Sequence, residues 1–446
     1  MAKSPCAEQF CKNVSPSHST SLLPPLLSQI LVTQVKRRIY MDNAATSFPK
    51  PPQVTRAMVH FMENVGANPG RSRHDQSTEA ANIVSGAREA LARLFNIPDP
   101  DRIVFTLNAT ESLNTVIYGT LKPGDHVVIT ALEHNSVIRP VRDLENRGIV
   151  TVSVAPCDKM GFLDLDALKG LVQENAALVC LNHASNVSGT IQDVAAVRQA
   201  IGDTRLLLDV AQTAGAVPID VQALGVDYLA FTGHKALYGP QGTGGLYVKQ
   251  GAPIRPLKRG GTGSVSEQEV QPDFFPDALE SGTQNNVGIA GLAAGVDFIL
   301  ETGIEEIRDH ESKLLEAFVD GLESVVGLTL YGPLRPDVQV PIVSITFDDA
   351  LPEGLHHTIG GCGGRAIPAT FESVHPQEAG TMLQDEYEIS VRVGLHCAPL
   401  AHKALGTFPD GTVRFSLGYF NTPQDVEIAV QAVKRIAEKG DLIDED

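Results

Sequence analysis

The feature that most constrains the fold is an alternation of short apolar runs with segments of helical period between Arg102 and Val248. Three of these segments, 136–147, 164–174 and 194–201, predict crossover helices. Six apolar runs predict strands: 103–106, 127–130, 151–154, 177–181, 205–209 and 228–232. Strands that alternate with crossover helices are typical of an α/β fold with a mostly parallel sheet.

A second and smaller unit is predicted after the Gly- and Pro-rich stretch 251–285. Its pattern comprises a long helical region, three strands and a closing helix, at 287–324, 342–347, 389–392, 412–416 and 426–438. We therefore expect a large α/β domain over 38–300 and a small α+β domain over 301–440. Residues 38–60 count as part of the large domain in this division, although they could pack on the small one.

The amino-acid composition and net charge of the chain indicate which classes of binding partner are unfavourable. The chain has 446 residues, more than one ordinary domain, and its 43% hydrophobic and 20% charged residues are typical of a soluble globular protein. Its 35 Lys and Arg residues against 53 Asp and Glu residues give a formal net charge of -18. Such a charge would repel a nucleic acid backbone and an anionic membrane surface, so we expect neither as a partner.

The cysteines and the N-terminal region bear on the location of the protein. Six cysteines are scattered without metal-type spacing, which predicts a reducing, cytoplasmic compartment: Cys6, Cys11, Cys157, Cys180, Cys362 and Cys397. Residues 1–37 are rich in Ser and Pro, with Glu8 as their one acid. They predict a disordered extension or a start codon assigned too early, and a targeting segment is the alternative.

Lys235 is the first candidate for chemistry. It follows an apolar strand in the run Thr232-Gly-His-Lys235, and a glycine-rich loop and a second strand come after it. A lysine in such a turn can form a Schiff base with an aldehyde cofactor. The alternative is a plain surface lysine after a strand, and the other residues at strand ends decide between the two.

Polar residues follow two other predicted strands, at the sheet edge where open parallel sheets bind ligands. Ala109, Thr110 and Glu111 begin a helix, so their backbone amides could hold a phosphate, with the Thr110 hydroxyl as a further donor. Asp209 closes its strand. A carboxylate facing a pyridine ring would keep the ring nitrogen protonated, and the ring would then accept electrons.

Three more side chains extend this set. His134 could stack on a planar ring, and Asn186 and Gln212 could hydrogen-bond a ring oxygen. Each residue type is also common as a satisfied structural group. A dinucleotide site is disfavoured, because 239–245 lacks the G-x-G-x-x-G pattern and does not lie between an early strand and a helix.

Together these residues carry a resemblance to the class V aminotransferase family of pyridoxal 5'-phosphate (PLP) enzymes, and within it to the cysteine desulfurases and selenocysteine lyases. The similar runs stand in the family's order over about 38–438: Tyr40-Met-Asp-Asn-Ala-Ala-Thr46, Ala109-Thr-Glu111, Glu133-His134, Ser185-Asn186, Asp209-Val-Ala-Gln212, Thr232-Gly-His-Lys235 and Glu280-Ser-Gly-Thr-Gln-Asn285. The resemblance implies the PLP-dependent transferase fold type I, PLP as cofactor and a homodimer.

The resemblance also implies how the cofactor's phosphate is held. Thr232 and His234 would bind it beside Lys235. The partner subunit would complete the phosphate site, a role that falls on Gly282 and Thr283.

Cys397 is the second reactive candidate. It follows a predicted strand in the Gly/His/Pro loop Arg392-Val-Gly-Leu-His-Cys-Ala-Pro399, a place that favours exposure. Nearby Arg392 and His396 would favour its thiolate. The segment resembles the Arg-x-Gly-x-His-Cys-Ala motif of the second, sulfur-mobilisation group of cysteine desulfurases. This implies that Cys397 receives sulfur as a persulfide.

Arginines are expected to bind the substrate. Arg414 and Arg392 are similar to the family's arginines at the substrate carboxylate, and Asn186 would assist them. A guanidinium suits this task because it can grip a carboxylate through two parallel hydrogen bonds.

The chain departs from the family pattern at 349–370, where it carries an extra Gly- and His-rich segment. Its glycines predict a flexible loop. A metal bound by His356, His357 and Cys362 would lack a fourth ligand, and His396, Cys397 and His402 match no common zinc spacing, so we expect no metal. A third interpretation is that the segment shields a persulfide or docks a sulfur acceptor.

We therefore expect a PLP-dependent cysteine desulfurase that converts L-cysteine to L-alanine and leaves the sulfur on Cys397 for an acceptor protein. Lys235 would move the α-proton, and His134 would stack on the ring and relay a proton. Three alternatives stay open: a selenocysteine lyase acting on L-selenocysteine, another class V aminotransferase-type enzyme such as a C–S lyase, and a non-catalytic sulfur-carrier partner.

Overall fold

A seven-stranded sheet forms the centre of the larger part of the molecule, in a computed structural model that describes residues 38–70, 74–172, 176–347 and 374–439. Its strands are β2 (Ile103–Thr106), β3 (Asp125–Thr130), β4 (Val150–Ala155), β5 (Ala176–Asn182), β6 (Leu206–Asp209), β7 (Tyr228–Thr232) and β8 (Gly244–Val248). Their order is β2-β8-β7-β6-β5-β3-β4. β8 pairs antiparallel with both β2 and β7, and the other four pairings are parallel, so the predicted mostly parallel sheet is confirmed.

Strands of this sheet appear in the sequence as continuous apolar runs, because both faces of the sheet are buried. Every residue of β6, β7 and β8 is buried. Leu206 and Leu208 belong to the hydrophobic cluster on one face, and Leu207 belongs to the cluster on the other. This two-sided burial is typical of parallel sheets flanked by helices.

The flanking helices are α1 (Pro52–His60), α2 (Asp75–Phe95), α3 (Ala109–Thr120), α4 (Asn135–Asn146), α5 (Leu165–Val172) and α6 (Val194–Ile201). The crossover helices predicted at 136–147 and 194–201 are confirmed, and the described part of the one at 164–174 is α5. Among these helices, α3, α4 and α6 begin at a side-chain cap, in which Asn108, His134 and Asp193 respectively accept a backbone N–H. Such caps fix where the chain turns from strand to helix at the edge of the sheet.

The long helical region predicted at 287–324 is two helices, α7 (Asn286–Thr302) and α8 (Ile304–Leu322). Gly303 separates them with a φ of 92°, a conformation that residues with a Cβ rarely adopt. Within the described residues, no single helix has the length and apolar character needed to cross a membrane, and α7 with α8 reaches that length only as a pair bent by 83°.

A second, antiparallel sheet lies toward the C-terminus, with the order β12-β13-β10-β9. Its strands are β9 (Leu328–Tyr331), β10 (Ile342–Phe347), β12 (Arg392–Gly394) and β13 (Thr412–Ser416), and its helices are α9 (Pro376–Tyr387), α10 (Pro399–Leu405) and α11 (Pro423–Lys439). The single strand predicted at 389–392 is two short ones, because β11 (Ile389–Ser390) pairs with β1 (Ile39–Tyr40) and β12 pairs with β13.

The segment after β1 joins this sheet to the lysine turn. The amide of Ser416 on β13 donates to Met41 O at 2.8 Å, and farther along the amide of Ser47 donates to His234 O at 3.0 Å. The expectation that residues 38–60 could pack on the small unit agrees with the first of these contacts. The domain boundaries stay predictions, and residues 1–37 and 349–370 lie outside the described part of the chain.

Glu311 gives the fold a pH dependence. This carboxyl is 5% exposed on α8, and burial raises its pKa from 4.5 to about 8 although Arg308 opposes the shift. Between those values the folded chain binds more protons than the unfolded chain, so the free energy of unfolding falls as pH rises.

We expect Glu311→Gln to flatten this fall, whose upper bound is about 5 kcal/mol for a shift of this size. Urea unfolding between pH 5 and pH 8 measures it. Glu305→Gln, at an exposed position in the first turn of the same helix, is the control and should leave the slope unchanged. Equal slopes in Glu311→Gln and the unmodified chain would contradict the assignment.

Candidate active site

A cavity at the carboxyl ends of the central strands gathers most of the predicted site residues. Parallel strands end at the same edge of a sheet, so side chains distant in sequence meet there. The cavity is lined by Ala44, Ala45, Asn108, Ala109, Thr110, His134, Ser136, Asn182, Asn186, Asp209, Ala211, Gln212, Thr232, His234, Lys235, Arg392, His396 and Arg414.

Lys235 lies in the turn that follows β7, and its surroundings lower the pKa of its ammonium group. Burial lowers the pKa of its ammonium from 10.5 to about 8, and the positive charges of Arg414 and Arg392 add to the effect. Asp209 and Asp42 oppose it. A lysine with such a pKa is neutral often enough near neutral pH to act as a nucleophile or a base.

Asp209 is the buried last residue of β6. Its Oδ1 accepts a hydrogen bond from the amide of Ala211 at 2.9 Å, which leaves Oδ2 for a ligand. Burial raises its pKa, and the amide of Ala211 and the charge of Lys235 lower it. A protonated ring nitrogen would add a further positive partner for this carboxylate.

His134 is held as a neutral imidazole. Its Nδ1 accepts a hydrogen bond from the amide of Ser136 at 3.1 Å, as the cap of α4. Burial lowers its pKa from 6.5 to about 4, and the charge of Lys235 adds to the shift. Because Nδ1 accepts, the proton belongs on Nε2, where it can be donated to a ligand.

The N-terminus of α3 presents fewer free amides than predicted. The amide of Glu111 donates to the Asn108 side chain at 3.0 Å, and the Glu111 carboxylate pairs with Lys258 and accepts from the amide of Leu107. The amide of Glu111 already caps the helix, so the expectation that Glu111 helps to hold a phosphate stays a prediction. Ala109 and Thr110 line the cavity, and the Thr110 hydroxyl lies 2.8 Å from that of Ser136.

Among the buried polar atoms of the cavity wall that have no partner in the described residues are Thr232 Oγ1, His234 Nδ1 and Asn186 Oδ1. Buried polar atoms are nearly always hydrogen-bonded, so these three suit a polar ligand. All belong to residues predicted to bind PLP, and a phosphate with a ring hydroxyl has the groups to pair with them. Burial lowers the pKa of His234 to about 4, so this ring too is neutral.

Arg414 is 1% exposed and sits on β13 directly opposite Arg392 on β12. Its guanidinium donates to Asp42 Oδ1 at 2.7 Å and to Asn186 O at 3.0 Å, while Nε has no partner among the described residues. Two arginines at one wall make this side of the cavity cationic despite the negative net charge of the chain. An anionic group of a ligand is favoured there.

The Cys397 loop lies at the rim of the cavity. His396 and Cys397 both have a left-handed backbone, with φ values of 48° and 59°. The amide of Asn135 donates to Cys397 O at 2.7 Å, and Asn186 Nδ2 donates to His396 O at the same distance. Cys397 is exposed, as predicted.

His396, which was expected to favour the Cys397 thiolate, is buried. Its Nε2 lies 3.0 Å from Thr412 Oγ1, and burial holds its pKa well below 6.5. A neutral imidazole adds no cation beside Cys397, so the effect of His396 on the thiolate stays a prediction. The contribution of Arg392 stays a prediction.

The remaining site predictions fall in different places. Gln212 lines the cavity and donates to Ala44 O at 3.2 Å. Gly282 and Thr283 line a separate surface pocket, beside Arg88. Their predicted role toward a partner subunit stays a prediction.

Metal ligands do not gather in the described residues: no group of three His, Cys, Asp or Glu side chains there could hold an ion. His402 is buried, with Nδ1 2.7 Å from Thr407 Oγ1. His356, His357 and Cys362 lie outside the described part of the chain.

Sequence reasoning assigned no role to Asp42 or Glu133, although both stand in runs that carry the family resemblance. Asp42 forms the ion pair with Arg414 described above. Glu133 is fully buried, its Oε1 accepts from Thr130 Oγ1 at 2.7 Å and from the amide of Asn182 at 2.9 Å, and burial raises its pKa to about 8. Its position just before His134 was the only available signal.

A large, mostly parallel sheet, a smaller antiparallel one and a half-buried lysine at a strand end are features of the PLP-dependent transferases of fold type I. The chain belongs to the Aminotransferase class-V family, whose sequence profile matches residues 39–363 and 360–428. This confirms the resemblance drawn from the sequence.

The chain is similar to proteins named cysteine desulfurase. A probable cysteine desulfurase of Methanothermobacter thermautotrophicus is 33% identical over 91% of this chain and 96% of its own, and a cysteine desulfurase of Yersinia pseudotuberculosis is 33% identical over 92% and 96%. Among solved structures, the cysteine desulfurase of Thermococcus onnurineus superposes with a TM-score of 0.79 at 31% identity, covering 90% of this chain and 95% of its own. An Escherichia coli cysteine desulfurase, solved as its S-sulfonic acid, gives 0.76 at 29% identity with the same coverage.

Proposed function

We propose that the chain is a PLP-dependent cysteine desulfurase, which converts L-cysteine to L-alanine and receives the sulfur on Cys397. The observation that carries the proposal is the junction between the lysine cavity and the cysteine loop. Asn186 lines the cavity of Lys235, and its Nδ2 donates to His396 O at 2.7 Å, next to Cys397. A substrate held in the cavity would thus have an exposed thiol at its rim.

The residues of the cavity suit PLP. Asp209 would face the ring nitrogen, His134 the ring face, and Thr232 and His234 the phosphate. When bound there, PLP supplies an electron sink for the bond changes at the substrate's α-carbon. The amide groups of Ala109 and Thr110 at the N-terminus of α3 would add donors for the phosphate.

The chain's own side chains would divide the proton and sulfur chemistry between them. The amine of Lys235 would take the α-proton, and His134 Nε2 would donate a proton near the ring. The Cys397 thiolate would attack the substrate's sulfur, so that an S–S bond forms as the C–S bond breaks. The β-carbon that loses the sulfur then takes a proton, and the α-carbon regains the proton that Lys235 removed, which gives L-alanine and a Cys397 persulfide.

Arg414 supports a carboxylate-bearing substrate, and its removal is the first functional prediction. We expect Arg414→Gln to raise KM for L-cysteine about hundredfold, because two charge-assisted hydrogen bonds to the carboxylate are lost. Steady-state release of alanine measures it. Arg335→Gln, at an exposed ion pair on the small unit, is the control and should change nothing. An unchanged KM in Arg414→Gln would contradict the assignment.

The decisive experiment uses the purified chain loaded with PLP. We expect L-cysteine to be consumed with release of L-alanine and, once a thiol reductant is added, of an equal amount of sulfide. Consumption of L-selenocysteine with L-cysteine left untouched would support a selenocysteine lyase instead. Failure to retain PLP would favour the non-catalytic sulfur carrier, and pyruvate in place of alanine would favour another C–S lyase.

A homodimer is part of the same proposal. Gly282 and Thr283 lie outside their own chain's cavity, so a partner's copy is needed for the phosphate role that the family resemblance gives them. An acceptor protein for the sulfur, the absence of a nucleic acid or membrane partner and a cytoplasmic location stay predictions.

A further inference from the structure

Lys50 is a second half-buried lysine, and it touches the turn that carries Lys235. Its Nζ lies 2.7 Å from His234 O and 2.7 Å from Ser47 Oγ. The Ser47 hydroxyl in turn donates to Lys235 O at 2.7 Å. The ammonium of Lys50 therefore contacts the carbonyl group of His234 directly, and it is linked to the carbonyl group of Lys235 through the Ser47 hydroxyl.

The same short segment supplies further donors to this turn. His234 O also accepts from the amide of Ser47 at 3.0 Å and from Thr46 Oγ1 at 3.0 Å. Lys235 O also accepts from the amide of Tyr238 at 2.8 Å. The backbone on both sides of Lys235 is thus fixed by donors, most of which come from Thr46–Lys50.

Lys50 has no carboxylate within ion-pair distance among the described residues. Burial lowers its pKa from 10.5 to about 8. A buried ammonium costs free energy unless its donors are used, and here the acceptors are a backbone carbonyl and a serine. A neutral, apolar side chain would fill the same space without that free-energy cost. What Lys50 adds, and an apolar residue could not, is its hydrogen bonding to the turn.

We propose that Lys50 is a positioning residue for Lys235, and that it holds the turn so that the Lys235 amine faces the cofactor. The proposal rests on the proposed function, because its effect is observed in the attachment of PLP to Lys235. A lysine that must reach one aldehyde carbon depends on its backbone, because small misplacements of a reacting group slow a reaction strongly. Lys50 acts through the two carbonyl groups and does not touch the reacting atoms.

The test follows the attachment of PLP to the cofactor-free protein through the rise of visible absorbance, together with the dissociation constant for PLP. Lys50→Met removes the ammonium, Lys50→Arg keeps a cation, and Ser47→Ala removes only the hydroxyl. Arg102→Met is the matched control. Arg102 also donates to two backbone carbonyls, Val248 O at 2.8 Å and Lys249 O at 3.0 Å, but at the opposite end of the sheet.

We expect Lys50→Met to slow attachment about tenfold and to weaken PLP binding about tenfold, and Ser47→Ala to slow attachment about threefold. Lys50→Arg should stay within about threefold of the unmodified chain, since a guanidinium can reach both acceptors. Arg102→Met should attach PLP at the normal rate, even if it lowers the urea midpoint of unfolding as much as Lys50→Met does.

Three results would overturn the proposal: a normal attachment rate in folded Lys50→Met, slowing of the same size in Arg102→Met, or no recovery in Lys50→Arg. If Lys50→Met does not fold, a normal rate in Ser47→Ala overturns it. If the unmodified chain itself attaches no PLP, the proposed function fails, and this outcome is distinct from the others.

Discussion

Lys235→Ala is expected to yield a colourless protein whose turnover of L-cysteine falls by more than about ten-thousandfold, since one side chain serves as both attachment point and base. The structure supports both roles, because burial and two arginines lower the pKa of this ammonium to about 8. An absorbance spectrum and the release of alanine measure the two losses separately.

Two variants make this result specific. Lys235→Arg keeps a positive charge near Asp209 but can neither attach the cofactor nor accept the α-proton, so it should be equally inactive. Lys249→Ala removes a half-exposed lysine that pairs with Asp227, and it should stay yellow and active. Colour retained in Lys235→Ala, or activity retained in Lys235→Arg, would mean that another residue performs this chemistry.

The central strands could be predicted from the sequence because burial on both faces leaves a continuous apolar run. Leu206-Leu-Leu-Asp209 is such a run, and its polar last residue marks the edge where the site lies. The small unit gave weaker signals. The separation of β11 from β12 depends on which partner each strand finds, and β9 alternates too little to stand out, with no fully buried residue.

The site residues could be named from motifs, but their protonation and their bonds could not. His396 was expected to favour the Cys397 thiolate, but the sequence could not show that burial lowers the pKa of its ring, because that burial arises from the packing of distant elements around it. Glu111 was expected to present its amide, which the preceding Asn108 instead caps; here a local signal existed, since Asn is a favoured N-cap. Lys50 gave no signal at all, because its partner His234 is 184 residues away.

The net charge of the chain likewise did not predict the charge of the cavity. The chain carries a formal charge of -18, yet Lys235, Arg392 and Arg414 converge on one site with Asp209 and Asp42 as the opposing charges. The global charge bears on long-range attraction to large polyanions, whereas a small ligand responds to the groups within a few ångströms. A negatively charged protein can therefore hold a cofactor with a phosphate and a substrate with a carboxylate.

Cys397→Ser is the second variant with a large expected effect. We expect it to attach PLP normally but to release alanine and sulfide from L-cysteine about a thousandfold more slowly, because a hydroxyl is a far weaker nucleophile toward sulfur than a thiolate. Mass spectrometry after exposure to L-cysteine should find one added sulfur atom on Cys397 of the unmodified chain and none on the variant.

Cys157→Ser is the matched control, since Cys157 is the other described cysteine with solvent access. Burial and the neighbouring Asp158 raise the pKa of its thiol to about 11, so it is almost entirely protonated near neutral pH and should take up no sulfur. If Cys397→Ser still forms alanine, the proposed persulfide on Cys397 is wrong, while the proposed attachment of PLP to Lys235 is unaffected. If only L-selenocysteine is then used efficiently, the exposed side chain of Cys397 serves substrate choice and not sulfur transfer.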